Sequence, residues 1–209
     1  MKNMIQGFIA AAIVVALGAY GWMHYQTQQE IDAGAAYARQ SSALVMQQMA
    51  MLSDGDNVTV ADFFASTRKA TEELSNCSLA IDSREWRRSH SARDAAKEIC
   101  SSAKSLISML SMDAKARLER QSAKDRAEKA SAAISKSKNS YEIELLTSQM
   151  DEAYDEQIKS LEQEISSLKP NASRVQAFLA ANDRAVKTLG VPGLSQDARS
   201  RLQKMYPEK

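Results

Sequence analysis

The stretch YEIELLTSQMDEAYDEQIKSLEQEISSLK, residues 141–169, decides the architecture. Ile143, Leu146, Met150, Ala153, Tyr154, Ile158, Leu161, Ile165 and Leu168 recur at spacings of mostly three and four over about four heptads, the period that lines one side of a helix packing on another helix. Lys169-Pro170 is read as its end, because proline lacks the N–H used inside a helix and clashes with the preceding turn. Eight Asp/Glu against two Lys make this helix acidic.

Its expected partner lies just upstream. Ala92, Ala96, Ile99, Ala103, Leu106, Leu110, Ala114 and Leu118 step at the same rhythm, thin into Ala123, Ala127, Ala130 and Ile134, and stop in the polar run Ser135–Ser140. Residues 113–138 hold eight Lys/Arg and four Asp/Glu, so the two helices attract. A reversal near residue 138 predicts an antiparallel hairpin with Ala130 near Leu146, Ala123 near Met150 to Tyr154, and Leu118 near Ile158, small residues facing large ones. The basic run reads as a solvated face and not as a nucleic-acid site, because no aromatic interleaves it and the whole chain has a net charge of only +1.

Further upstream, Thr59 and Asp62 form a capping box before the stripe Val60, Phe63, Thr67, Ala70, Leu74, Cys77 and Ile81. Cys77 and Cys100 are the only cysteines, one on each of two successive helices, and their midpoint falls between Arg88 and Ser89. A hairpin turning there brings both sulfurs to one depth and predicts a disulfide. The tip of that hairpin, Glu85-Trp86-Arg87-Arg88-Ser89-His90, has the composition of a binding hot spot, so Trp86, Arg87 and Arg88 are candidate partner-binding residues. The bland alternative is a tucked Trp86 beside solvated arginines. Downstream, Ser173 is expected to cap a helix carrying Val175, Phe178, Leu179, Val186 and Leu189, which stops at Gly190-Val191-Pro192-Gly193, and Ser195 opens a short last helix to about Met205.

Seven Gly and three Pro are too few to punctuate a sheet of many short strands, and residues 56–189 contain no Gly and only Pro170. All-β and doubly wound folds are excluded. The fold class expected is all-α, an N-terminal single transmembrane helix followed by an exported helical bundle or antiparallel coiled-coil hairpins.

The transmembrane expectation rests on Met4–Met23, twenty residues without a charge. A helix of that length spans the roughly 30 Å hydrocarbon core of a bilayer. Lys2 precedes it, Glu30 and Asp32 are the first charges beyond it, and Tyr20, Trp22 and Tyr25 gather at its far end, which orients the N-terminus to the cytoplasm. A cleaved signal peptide ending at Ala16-Leu17-Gly18 is the alternative, but the apolar run is longer than a usual signal core. Both readings export the remainder. Residues 24–52 continue as a weakly amphipathic helix, and Ser53–Asn57 is a turn. Its Asp54 and Asp56 do not make a calcium loop, since Thr59 and Ala65 stand where such a loop needs Gly and a carboxylate. The chain divides accordingly into a signal-anchor helix (1–24), a juxtamembrane helix and turn (25–57), a disulfide-clasped hairpin (58–135), and an acidic heptad helix with C-terminal helices (136–209) packing back on 92–135.

No Gly-rich phosphate loop, HExxH, CxxC or Gly-x-Ser-x-Gly occurs, and the two histidines, His24 and His90, are far apart in the chain. No catalytic residue, cofactor or metal is therefore expected. The expected function is that of a non-enzymatic single-pass protein of the inner membrane, with its bulk in the periplasm, serving as a spacer or docking module for protein partners in an envelope complex. Self-association through the helices is allowed. Two other functions remain open: an exported ligand-binding or sensor bundle, similar only in layout to chemoreceptor ectodomains, and a phage lysis accessory, similar only in layout to inner-membrane spanins.

Overall fold

The computed structural model describes residues 2–53 and 58–207, with side chains described from residue 15 onward. Five helices follow one another: α1 (Lys2–Ser53), α2 (Val60–Ser83), α3 (His90–Ile134), α4 (Ser140–Leu189) and α5 (Gln196–Met205). The described residues contain no strand. The turn at Asp54–Asn57 lies outside them. Helix starts carry the caps that orphan N–H groups need. Thr59, Ser89, Asn139 and Ser195 each accept from the backbone N–H of the first turn. Gly190, with φ of 64°, ends α4 in the left-handed conformation that favours glycine.

The core is an up-down-up-down bundle of α1 from about residue 30, α2, the first half of α3 and the last third of α4, with α5 laid on α4. Cross-helix bonds set the register. Gln48, fully buried, donates to Ser66 Oγ at 2.7 Å and accepts from Thr67 Oγ1 at 2.9 Å, which pins α1 to α2. Lys97 reaches Asp82 at 2.8 Å across α2 and α3. Asn182 donates to Ser42 Oγ at 3.2 Å, so α1 and α4 run antiparallel. Near Gly34, α1 comes so close to its neighbours that an added Cβ would stand 2.8 Å from Leu189 Cδ2 and 3.2 Å from the Ala92 carbonyl oxygen. Glycine allows that approach without displacing either neighbour, and Ala35, Ala38, Ala92, Ala95 and Ala96 continue the small-residue contact. The buried face of α2 is as expected apart from Val60, which is about half exposed.

Two parts extend beyond the core in opposite directions. The α1–α4 register carries α1 from Gly34 beside Leu189 to its end near the level of Asn171. The hairpin of α3 and α4 continues past that level to the turn at 135–139, about 46 Å farther along α4 at 1.5 Å per residue. At the other end α1 leads away from the bundle, and Val15, Leu17, Tyr20, Trp22 and Tyr25 are all more than half exposed. Among the described residues no helix is long and apolar enough to cross a membrane. Residues 4–14 of the Met4–Met23 run lie outside those whose side chains are described.

Two expectations need correction. Pro170 does not end a helix, and Ser173 does not cap one: α4 runs unbroken from Ser140 to Leu189 with Pro170 inside it, and the Ser173 hydroxyl bonds back to the Lys169 carbonyl. The local cost of proline, about 3 kcal/mol, is outweighed by burial on its C-terminal side of Val175, Phe178 and Leu179, which keep the phase of the preceding stripe. Only the first part of the heptad forms the seam of the hairpin: Ile143, Leu146 and Met150 are half-buried and Ala153 is buried, whereas Tyr154, Ile158, Leu161, Ile165 and Leu168 are exposed. Ala123, Ala127 and Ala130 of α3 are buried against α4, whose own buried residues there are Ala153 and Ser160. Ser160 Oγ donates to the Ala116 carbonyl at 3.2 Å, and Ala130 and Leu146 line one groove. Small side chains let the two backbones approach, and the ion pairs Arg120–Glu164 and Arg126–Glu156 lock the register. Leu118 and Ile158, expected to meet, are both exposed.

Candidate functional site

Two places carry the features that can meet another molecule: the elbow between α2 and α3, and the distal hairpin.

At the elbow α2 ends at Ser83, and residues 84–89 cross to the first turn of α3. Trp86 is turned inward. Its indole N–H donates to the Ile81 carbonyl at 2.8 Å, satisfying an orphan acceptor at the end of α2, and the Arg84 guanidinium lies 5.4 Å from the ring centroid. Arg87 and Arg88 expose their side chains; Arg87 pairs with Glu85 at 2.7 Å. Their backbone N–H groups point the other way, to Glu30 of α1. That buried carboxylate accepts from Arg87 N at 2.9 Å, Arg88 N at 3.0 Å and Ser89 N at 2.6 Å. Burial alone would push its pKa up, but the N–H groups of Arg87, Ser89 and Arg88, with the nearby Arg84 charge, more than offset this and hold the carboxyl below its ordinary range. Glu30 thus fixes the elbow to α1 on the side from which α1 leaves the bundle. Composition around Trp86 gives no hint of Glu30, which precedes it by more than fifty residues. The available signal is its position as the first acid after the charge-free run.

Cys77 and Cys100 are joined in the structure, with Cα atoms 6.4 Å apart, inside the range a disulfide bridges. Ser41 Oγ of α1 donates to Cys100 Sγ at 3.3 Å, so three helices meet at the bridge. His24 and His90 lie apart, both exposed, and the described residues contain no cluster of His, Cys, Asp or Glu able to hold a metal ion.

On the hairpin, Tyr154, Ile158, Leu161, Ile165 and Leu168 form a stripe of 4-3-4-3 spacing whose members are between 39% and 68% exposed. The same spacing continues without a break through Ala172, Val175, Leu179 and Asn182, which are buried. One apolar stripe therefore runs along α4, covered in its lower part, where Asn182 bonds α1, and bare above the level at which α1 stops. Tyr206, after α5, closes the core near this boundary, donating its hydroxyl to Asp113 at 2.6 Å. Burial and then that carboxylate push its phenol pKa upward. Asp113, Arg117, Arg120 and Lys124 step by four, three and four along α3 and share a face. On that face Arg117 pairs with Asp113, and Lys124 with Glu128. Across the stripe, the outer edge of α4 carries exposed Asp151, Asp155 and Glu162 together with exposed Lys159 and Lys169.

Compared with known proteins, the chain matches no family model, no curated protein and no solved structure.

Proposed function

We propose that the protein is a non-enzymatic single-pass protein of the inner membrane, anchored through residues 4–23, whose exported bundle carries a docking arm for protein partners in an envelope complex. The observation that carries this reading is the polarity of the molecule. A helix with an uncovered apolar and aromatic run leaves one end of the core, and an antiparallel hairpin with an uncovered apolar stripe leaves the other. Among the described residues Val15, Leu17, Tyr20 and Trp22 have no neighbour that buries them; lipid would supply that burial, with Tyr20, Trp22 and Tyr25 at the headgroup layer. The Cys77–Cys100 bridge suits an oxidising compartment. With the anchor in lipid, the elbow arginines Arg87 and Arg88 stand near the membrane surface, and the hairpin is the part that meets proteins at a distance from it.

The test uses the intact chain in its native membranes. A reporter fused after Lys209 is expected to be active only outside the cytoplasm, and photo-crosslinkers at Ile158 or Ile165 are expected to trap protein. Release of the chain by carbonate, or a reporter active in the cytosol, would overturn the anchor. Absence of any adduct on the hairpin would overturn the docking arm.

A further inference from the structure

We infer that the cleft between α3 and α4 at Pro170 is a binding site for a free α-amino acid with an apolar side chain. The inference stands apart from the anchor and docking-arm reading, since it concerns side chains of the bundle alone. Three observations carry it.

The cleft has one cation to spare. It encloses about 330 Å³, open on one side, at the low end of the range that small-ligand sites occupy. Asp113 and Glu164 line it, and both are engaged. Asp113 accepts from the Tyr206 hydroxyl at 2.6 Å and pairs with Arg117 at 3.3 Å, while Glu164 pairs with Arg120. Arg174 also lines the cleft and, among the described residues, takes part in no ion pair. Its guanidinium donates to Asn171 Oδ1 at 3.2 Å, and the buried Asn171 is fixed in turn by donating to Ser167 Oγ at 3.4 Å. The other N–H groups of this planar fork have no partner among the described residues, and a carboxylate fits them two at a time.

Pro170 leaves an acceptor beside that cation. A residue with an N–H at this position would donate it to the Ser166 carbonyl, and proline has none to give. Residues 166 and 170 share a side of the helix, and Pro170 lines the cleft, so the unpaired oxygen opens toward it. Arg174 lies one turn farther on and leans back onto Asn171, which brings its guanidinium to within about 5 Å along the axis of the proline. An ammonium on the Ser166 oxygen and a carboxylate on Arg174 are then close enough to belong to one α-amino acid. The paired acids Asp113 and Glu164 point the same way, because they disfavour a bare anion and tolerate a ligand that carries its own positive charge. A peptide terminus supplies only one of the two charges.

The remaining wall is apolar. Met109 is buried, Met112 is 56% exposed at the rim, and the Pro170 ring stands opposite them on α4. Thioether side chains adapt to apolar groups of varied shape. The residue that costs α4 most thus sits in the wall of its cleft, where broken local rules are expected to serve a site.

The full chain in mild detergent is titrated with L-leucine and with L-methionine, read by calorimetry and by melting temperature. Saturable heat and an upward melting shift are expected. N-acetyl-leucine lacks the ammonium and leucinamide lacks the carboxylate; each is expected to bind about tenfold more weakly or worse. Arg174→Ala is expected to cost about ten- to a hundredfold in affinity, and Arg174→Lys most of that, since an ammonium cannot form the fork. Pro170→Ala is expected to raise the melting temperature and yet weaken binding, because the new N–H takes the Ser166 carbonyl; a purely structural role would not separate the two. Arg184→Ala, which removes the pair with Glu98 about 15 Å away along α4, should leave affinity unchanged. No saturable heat with either amino acid, equal binding of leucine and N-acetyl-leucine, or an affinity unmoved by Arg174→Ala would overturn the inference.

Discussion

The Glu30 carboxylate of α1 receives the Ser89 backbone N–H at 2.6 Å, and so the helix that leaves the bundle is bonded to the residue that caps α3. Arg87 and Arg88 add their N–H groups to the same carboxylate. A carboxylate at a helix start, holding three amides away from water, is a strong local clamp.

Replacement of Glu30 by Gln removes the charge and turns an amide N–H toward donors. A loss of about 1.5–3 kcal/mol is expected for charge-assisted bonds of this kind, read by urea denaturation at neutral pH. The folded-state pKa of Glu30 lies below its ordinary value. Its contribution is therefore complete above the unfolded pKa and disappears as pH falls through the folded one. The stability gap between wild type and Glu30→Gln should hold steady above the ordinary glutamate pKa of 4.5 and shrink as pH falls below it; a gap that stays constant into acid would contradict the clamp.

Gly34 makes a separate test of the α1 crossing. In a free helix, Ala in place of Gly gains about 1 kcal/mol. Here the added Cβ meets Leu189 Cδ2 at 2.8 Å and the Ala92 carbonyl oxygen at 3.2 Å. Gly34→Ala should forfeit that gain, and Gly34→Val should lower the melting temperature clearly, because the backbone carbonyl cannot step aside. In a double-mutant cycle, shortening Leu189 to Val should recover part of the Gly34→Ala loss. Simple additivity would show that the two residues are not in contact.

The Cys77–Cys100 bridge closes a segment with a sequence separation of 23. On the chain-entropy model, opening it costs about 3 kcal/mol. Cys77→Ser with Cys100→Ser, or thiol reduction of the intact chain, should lower stability by about that amount, without loss of helicity at low temperature. Equal melting curves with and without reductant would show that the bridge does not form.

Much of the fold is legible in local chemistry. Thr59 and Ser195 announce their helices through caps, Gly190 ends one, and the stripe Phe63, Thr67, Ala70, Leu74, Cys77 and Ile81 is buried as its spacing demands. The midpoint of the two cysteines lies within the elbow. What escapes is pairwise and three-dimensional. Periodicity shows that Tyr154 to Leu168 share a face, but not which neighbour that face meets, and here Ala153 and Ser160 take the internal contact. Trp86 and its arginines look alike on paper and separate in space, because the indole has a carbonyl to satisfy at the end of α2 whereas the guanidinium groups do not. Gly34 reads as a weak point of a helix and proves to be a place where α1 packs tightly on Leu189 and Ala92.

Pro170 misleads for a related reason. Its local penalty is real, but α4 is held in phase by what it buries on the C-terminal side. Pro170→Ala should therefore stabilise the fold, by between about 1 and 3 kcal/mol, with no change in helix content. A loss of stability would mean that the bundle depends on a bend at this residue.

The unbroken course of α4 gives the molecule a fixed gauge length. Fifty residues of continuous helix amount to about 75 Å, so whatever grips the tip near Tyr141 is held at a set distance from Leu189, where α1 departs, and a twist applied at the tip reaches the base as a rotation and not as a flexing joint.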